Sequence, residues 1–382
     1  MSTSTVAYIL STVRTMMYRG TQLTVGLGCV LLTLLYFKQE SMLYFPEIGG
    51  IPRRPQDNPR RYRSPSEHQV PYEDVQIQCE DGVQIHAWLM MRTQQPNPLP
   101  TLIYFHGNAG NIGLRIPNAL QMMQYLNVNI LMVEYRGYGN SDNVGPTEDG
   151  LKLDGQAALE WARKHPKLDN TKLFLFGRSL GGAVCFSTAD FAQKQKQQDQ
   201  GNSSPPVAGV IVENTFKSID SMVDHLMPVV APFKSLVLRM HWDSSKIVPT
   251  LESPVLYLAG AKDQLVPPPH MIELHQKSIS AKINKMHVVE DGTHNETWMQ
   301  GGQPYWDAIK AFIIEAVQSR GTSTTTMATA DSVSASTLAS SSASSSSGSS
   351  IPIMPNKLFG MVKEAIHSNN DDNDNNGGKK EL

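Results

Sequence analysis

The sequence predicts an α/β chain: a mostly parallel central sheet with helices on both faces, a short helical cap, and one transmembrane helix in front. Three observations carry this. Short apolar runs alternate with helical patterns from residue 72 to residue 320, the rhythm of strands joined by crossover helices. Residues 21–37 form an apolar stretch without one charge. Residues 216–250 lie between two strands, too long for an ordinary loop and too apolar to be solvated.

The elements follow in order. Val75, Ile77 and Cys79 alternate with polar residues, Asp81-Gly82 is a hairpin turn, and Val83, Ile85, Ala87 and Leu89 resume the alternation. Apolar runs at Leu102–Phe105, Ile130–Tyr135, Leu173–Phe176, Val207–Val212, Val255–Ala259 and Met286–Val289 read as buried strands. Helical patterns fill 114–126, 154–165, 180–192, 267–277 and 304–318 between and after them. The cap, 216–250, carries Met222, Leu226, Met227, Phe233, Leu236 and Trp242.

Outside this domain the composition changes. Residues 1–20 precede the stretch 21–37, which is just long enough for a membrane helix of roughly 17–25 residues and ends on Tyr36 and Phe37, suited to an interface. No small-x-small cleavage site follows Phe37 directly, so an uncleaved anchor fits better than a signal peptide. Residues 38–71 are rich in proline and arginine and read as an extended spacer holding the domain off the bilayer. Residues 321–350 contain 13 serines and 6 threonines, and 369–378 hold only Asn, Asp and Gly. The tail 321–382 is therefore expected to be disordered.

Composition excludes several classes. Hydrophobic residues at 40% and charged residues at 18% exclude a chain disordered throughout. A net charge of −2 argues against a nucleic-acid partner. Three scattered cysteines (Cys29, Cys79, Cys185) make neither a disulfide framework nor a thiolate metal site.

The chemistry centres on FLFGRSLGG, residues 174–182. Gly177-Arg178-Ser179-Leu180-Gly181 matches G-x-S-x-G after an apolar strand and at the start of a helix, where a tight turn lifts a serine hydroxyl out of the sheet. The Leu180 N–H and the helix N-terminus then lie where negative charge develops. A serine needs a base, and the base an orienting acid. In the hydrolase fold built on such an elbow the chain order is Ser, acid, His. Asp263 follows a strand and the Gly260 turn, and His294 follows a strand and the Asp291-Gly292 turn. The order 179, 263, 294 is the required one. His287 lies inside a strand, His270 and His275 on a helix, His225 and His241 in the cap, and His165 at a helix end. Asp291 reads as a turn residue. In IYFHGNAGN (103–111) the Asn108 N–H would complete the oxyanion hole. His106 has no second ligand at metal-binding spacing and reads as structural. EYRGYGNS (134–141) reads as a tight loop walling the site, since it lacks a phosphate-loop pattern.

FHGNAGN, EYRGYGNSD, FLFGRSLGGAV, VENTF, KDQLVPP and DGTHNETW together resemble the serine esterase family of α/β-hydrolase domain-containing proteins. The resemblance covers roughly residues 20–318 and implies an α/β-hydrolase fold, a Ser-His-Asp triad and a signal-anchor membrane protein. Relatives of that family include enzymes acting on acyl groups of lipids and of S-acylated proteins. The expected function is hydrolysis of lipophilic carboxylic esters or thioesters, with membrane lipid or an S-acylated protein as partner, water completing turnover, and no cofactor or metal. The serine at the elbow disfavours an aspartate-nucleophile dehalogenase or epoxide hydrolase. A catalytically silent membrane scaffold is the alternative.

The resemblance also implies a type II topology, with a short cytosolic N-terminus and a lumenal or extracellular domain. The sequons at Asn202 and Asn295 would then be glycosylation candidates. The C-terminus, Lys379-Lys380-Glu381-Leu382, resembles both a lumenal K-D-E-L address and a cytosolic dilysine signal. Both point to the endoplasmic reticulum, from opposite sides.

Overall fold

The computed structural model describes residues 3–92, 98–198 and 206–328. Eight strands form one sheet: β1 (Tyr72–Gln78), β2 (Gln84–Met90), β3 (Thr101–Phe105), β4 (Asn129–Val133), β5 (Leu173–Arg178), β6 (Gly209–Glu213), β7 (Val255–Gly260) and β8 (Asn284–Val289). Their spatial order is β1-β2-β4-β3-β5-β6-β7-β8. The β1–β2 hairpin is antiparallel and β2 runs antiparallel to β4, while β4, β3 and β5 to β8 are mutually parallel. Every apolar run expected as a strand is one. Two run short of expectation: β4 stops at Val133, so Glu134 and Tyr135 open the loop after it, and β6 begins at Gly209.

The helices are α1 (Thr3–Leu43), α2 (Ile116–Leu126), α3 (Glu148–Lys164), α4 (Leu180–Gln198), α5 (Ile219–Leu226), α6 (Lys234–Val237), α7 (Ser244–Ile247), α8 (Pro269–Lys277), α9 (Thr297–Gln300) and α10 (Gly302–Ala328). Strand alternation divides the core into two layers. Ile103 and Phe105 share one layer with Leu159 of α3, Phe186 of α4 and Leu274 of α8. Leu102 and Tyr104 face the other, with Met122 of α2 and Phe312 of α10. Local signals agree with packing: Thr147 caps α3 by accepting from the Gly150 N–H, and Glu148 and Asp149 stand in its first turn. The segment 216–250 forms the cap, made of α5, α6 and α7 with a short 3-10 turn at Ala231–Phe233.

The N-terminal region differs from expectation. The stretch 21–37 is the middle of one continuous helix, α1, which alone among the described helices is long and apolar enough to cross a membrane. Residues 38–71 do not form an extended spacer. The helix runs to Leu43, Tyr44 is buried, and Phe45 pairs as a β-bridge with Ala109. The rest lies along the domain through 3-10 turns at Pro55–Asp57 and Pro65–His68. Asn58 and Asn111 exchange side-chain hydrogen bonds at 2.8 and 3.0 Å, and Arg53 donates to the carbonyls of Gly137 and Ser141. These bonds satisfy buried amides and loop carbonyls, which favours docking over solvation. α10 runs past Arg320 to Ala328; the remainder of the tail, with the Lys-Lys-Glu-Leu terminus, lies outside the described residues.

Candidate active site

Ser179, Asp263 and His294 each follow the C-terminal end of a parallel strand: β5, β7 and β8. That edge is where open α/β sheets hold their ligands. Ser179 has φ +53°, a left-handed conformation that a non-glycine residue adopts only when its surroundings impose it. They do. Its N–H donates to the Glu213 carbonyl at 2.9 Å, and its own carbonyl accepts from Thr215 Oγ1 at 2.7 Å and the Gly182 N–H at 2.9 Å. The flanking glycines are sterically required. A Cβ on Gly177 would lie 2.1 Å from the Gly181 carbonyl oxygen, and one on Gly181 would lie 2.0 Å from that of Phe105. Beneath the elbow, Arg178 is buried and paired with Glu213 at 2.9 Å, and Tyr305 donates to the same carboxylate at 2.8 Å. Burial opposes the Arg178 charge, but the Glu213 carboxylate outweighs it and holds the guanidinium above its ordinary pKa.

His294 Nδ1 lies 2.7 Å from Asp263 Oδ2. The other Asp263 oxygen accepts from the N–H groups of Leu265 and Val266, each at 2.9 Å. The carboxylate is thus fixed on both sides, and as an acceptor it places the imidazole proton on Nδ1, leaving Nε2 with its lone pair. The two turns interlock. A Cβ on Gly260 would lie 2.5 Å from the Gly292 carbonyl oxygen, and the Lys262 N–H donates to that oxygen at 2.8 Å. Ser179 and His294 line one cleft. Among the described residues the Ser179 hydroxyl has no hydrogen-bond partner; catalytic serine–base bonds are often open without substrate.

Asn108 is pinned at the cleft wall. Its carbonyl accepts from the Phe45 N–H at 2.9 Å and the Tyr138 hydroxyl at 2.7 Å, and its side-chain amide donates to the Leu43 carbonyl at 3.0 Å. Leu180 opens α4, where no preceding turn supplies an acceptor for its N–H. Both residues join Ser179 in lining a second, apolar cavity of about 360 Å³ between α1 and the cap. His106 is buried beside Tyr135 and 3.5 Å from the Glu134 carboxylate. The 134–141 loop, expected to wall the site, lines neither cavity; its buried Tyr135 and Tyr138 brace the wall from behind, their hydroxyls donating to the carbonyls of His106 at 2.8 Å and Asn108 at 2.7 Å. Asp291 is exposed and pairs with Lys262, as suits a turn residue. Asn295 lines the cleft beside His294, while Asn202 lies outside the described residues.

Sequence reasoning passed over Asn214. It follows β6 with φ +48° and makes four side-chain bonds. Its amide nitrogen donates to the carbonyls of Thr293 and His294 and to Thr297 Oγ1, and its oxygen accepts from the Gly260 N–H. One side chain therefore ties the turn of Asp263 to the turn of His294. The available signal was its place at the end of a buried parallel strand, which it shares with the other three.

No family model matches the chain. Individual relatives do. Protein bem46 of Schizosaccharomyces pombe is 35% identical over 295 residues, 76% of this chain and 92% of the relative. The α/β hydrolase domain-containing protein WAV2 of Arabidopsis thaliana is 34% identical over 293 residues, 73% of this chain and 89% of its own length. An uncharacterized membrane protein of Saccharomyces cerevisiae, YNL320W, is 32% identical over 76% of this chain and 94% of its own. Among solved structures, the Pyrococcus furiosus esterase Pf2001 superposes with a TM-score of 0.53 at 17% identity, over 66% of this chain and 93% of the esterase, a likeness of fold. With the sheet order, the elbow and these relatives together, the chain belongs to the α/β-hydrolase family.

Proposed function

We propose that the protein is a membrane-anchored serine hydrolase that cleaves ester or thioester bonds of lipophilic acyl substrates. The observation that carries this reading is the strained Ser179 elbow, opening on one side to the His294–Asp263 pair and on the other to an apolar cavity. In the reaction, Ser179 Oγ attacks the acyl carbonyl carbon while His294 Nε2 takes its proton, and Asp263 steadies the imidazolium. The N–H groups of Leu180 and Asn108 donate to the oxyanion, aided by the N-terminus of α4. Collapse expels the alcohol or thiol, which leaves with the proton held by His294. Water, activated by His294, then releases the acid and restores Ser179.

The apolar cavity supports a fatty acyl chain over a small polar acid. α1 supports the anchor, and the relative called a membrane protein is consistent with it. A lumenal domain in the endoplasmic reticulum suits a lipid esterase carrying glycans. A cytosolic one suits a palmitoyl-protein thioesterase, since reversible S-acylation is turned over there.

The test is turnover by the purified full chain in detergent on matched ester and acyl-thioester panels, beside Ser179→Ala. Hydrolysis lost in the variant supports the reading. No turnover on either panel favours a silent scaffold.

A further inference from the structure

The cavity beside Ser179 is walled on one side by α1 itself, through Leu35, Gln39, Met42 and Leu43. The opposite wall is the cap, through residues such as Met222, Leu226 and Val230. Leu35 belongs to the charge-free stretch that ends at Phe37. The same side chain is thus part of the membrane-crossing sequence and of the pocket that reaches the nucleophile.

The contact between α1 and the cap is built to hold. Gln39 is buried and makes every bond an amide can make. Its nitrogen donates to the carbonyls of Tyr36 and Val237, and its oxygen accepts from the N–H groups of Arg239 and Met240. Arg239 pairs with Glu40 at 2.7 Å, donates to the Tyr36 carbonyl and stands over the Tyr36 ring at 5.2 Å. Trp242 of the cap donates to the Tyr44 hydroxyl at 2.9 Å.

The rim of the pocket is apolar and open. Met42, Leu226 and Leu265 line it and stay about half exposed. Beyond them the cap presents Val229 at 82% and Leu236 at 69% exposure, with Phe233, and α1 presents Leu34 and Phe37. An exposed apolar patch continuous with a membrane-length helix is costly in water and favourable at a bilayer surface.

We infer that the pocket is loaded sideways from the bilayer: the acyl chain of a membrane lipid passes between α1 and the cap to Ser179. The inference rests on the proposed hydrolase function and names where its substrate resides. The anchor is then one wall of the binding site, and the exposed cap residues seat its mouth in the same leaflet. A chain arriving from water would have to cross this rim after the bilayer had already covered it.

Two arms test this on the full chain in phosphatidylcholine vesicles. In the first, a fluorogenic oleoyl ester is held at constant bulk concentration while added phosphatidylcholine dilutes it in the surface. We expect the rate to fall about tenfold for tenfold surface dilution; a rate that follows bulk concentration alone contradicts lateral entry. A soluble acetyl ester, read on the same preparation, reports hydrolase competence separately. In the second arm, the Ser179→Ala chain is irradiated with phosphatidylcholine carrying a diazirine at the end of one acyl chain. Adducts on cap residues 222–240 together with α1 residues 35–43 support the inference whatever the catalytic outcome. Adducts confined to residues 3–34 overturn it.

Discussion

The side-chain amide of Asn214 donates to the backbone carbonyl of His294 at 3.1 Å, so a residue outside the proposed triad helps set where the imidazole stands. Asn is suited to this position twice over, since it tolerates φ +48° and supplies both donor and acceptor. Asn214→Gly keeps the backbone conformation and removes the amide. We expect its kcat to fall about 10- to 100-fold with KM little changed, the scale of an ångström-sized misplacement. Full activity in Asn214→Gly contradicts the positioning role.

Gly181→Ala places a methyl group on the Phe105 carbonyl, with no flexible side chain to yield. Overpacking against backbone at this site should cost about 3 kcal/mol or more. Thermal unfolding of the variant, against wild type, reads the loss. An unchanged midpoint contradicts the close approach of Gly181 to the Phe105 carbonyl.

Chain-length preference follows from the apolar cavity. Each methylene buried contributes roughly 0.8 kcal/mol. We expect kcat/KM to rise from acetyl to at least octanoyl esters or thioesters. A preference for acetyl contradicts an acyl-chain pocket.

Asn295 lines the cleft beside His294, and its carbonyl accepts from Trp298 Nε1 at 3.1 Å. A glycan on this side chain would stand at the entrance to the site. If the domain is lumenal, endoglycosidase treatment should shift the mass of wild type and of Asn295→Gln, but not of Asn202→Gln. A shift lost only in Asn295→Gln assigns the glycan to the cleft and contradicts this expectation. Protease digestion of the domain from outside sealed microsomes, with no glycan shift, places it in the cytosol.

Much of this architecture is legible in sequence because it is written locally. Leu102–Phe105 and Leu173–Phe176 are short apolar runs whose burial on both faces leaves little choice but central strands. Asp263 and His294 are singled out by their position one turn after such runs and by chain order, and the fold brings the two side chains to 2.7 Å. What stays hidden depends on contacts between distant residues. Gln39 falls at the start of the stretch that reads as a spacer; only the folded chain reveals that Val237, Arg239 and Met240 use its amide. The proline and arginine of 38–71 have a linker's composition, yet Arg53 finds carbonyls on the 134–141 loop and Asn58 finds Asn111. Asn214 was visible in VENTF, but its partners lie on two other turns. Composition cannot report such pairings, because each joins residues far apart in sequence that only the folded chain brings together.

The central claim is that Ser179 is the nucleophile activated by His294. Treating the native full chain with a fluorophosphonate and mapping the adduct by peptide mass spectrometry tests it most directly. We predict one adduct, on Ser179, absent in Ser179→Ala and slowed roughly 10⁴-fold or more in His294→Ala, with Asp263→Asn slowed somewhat less. An adduct on another residue, or labelling in His294→Ala at more than a tenth of the wild-type rate, contradicts the assignment.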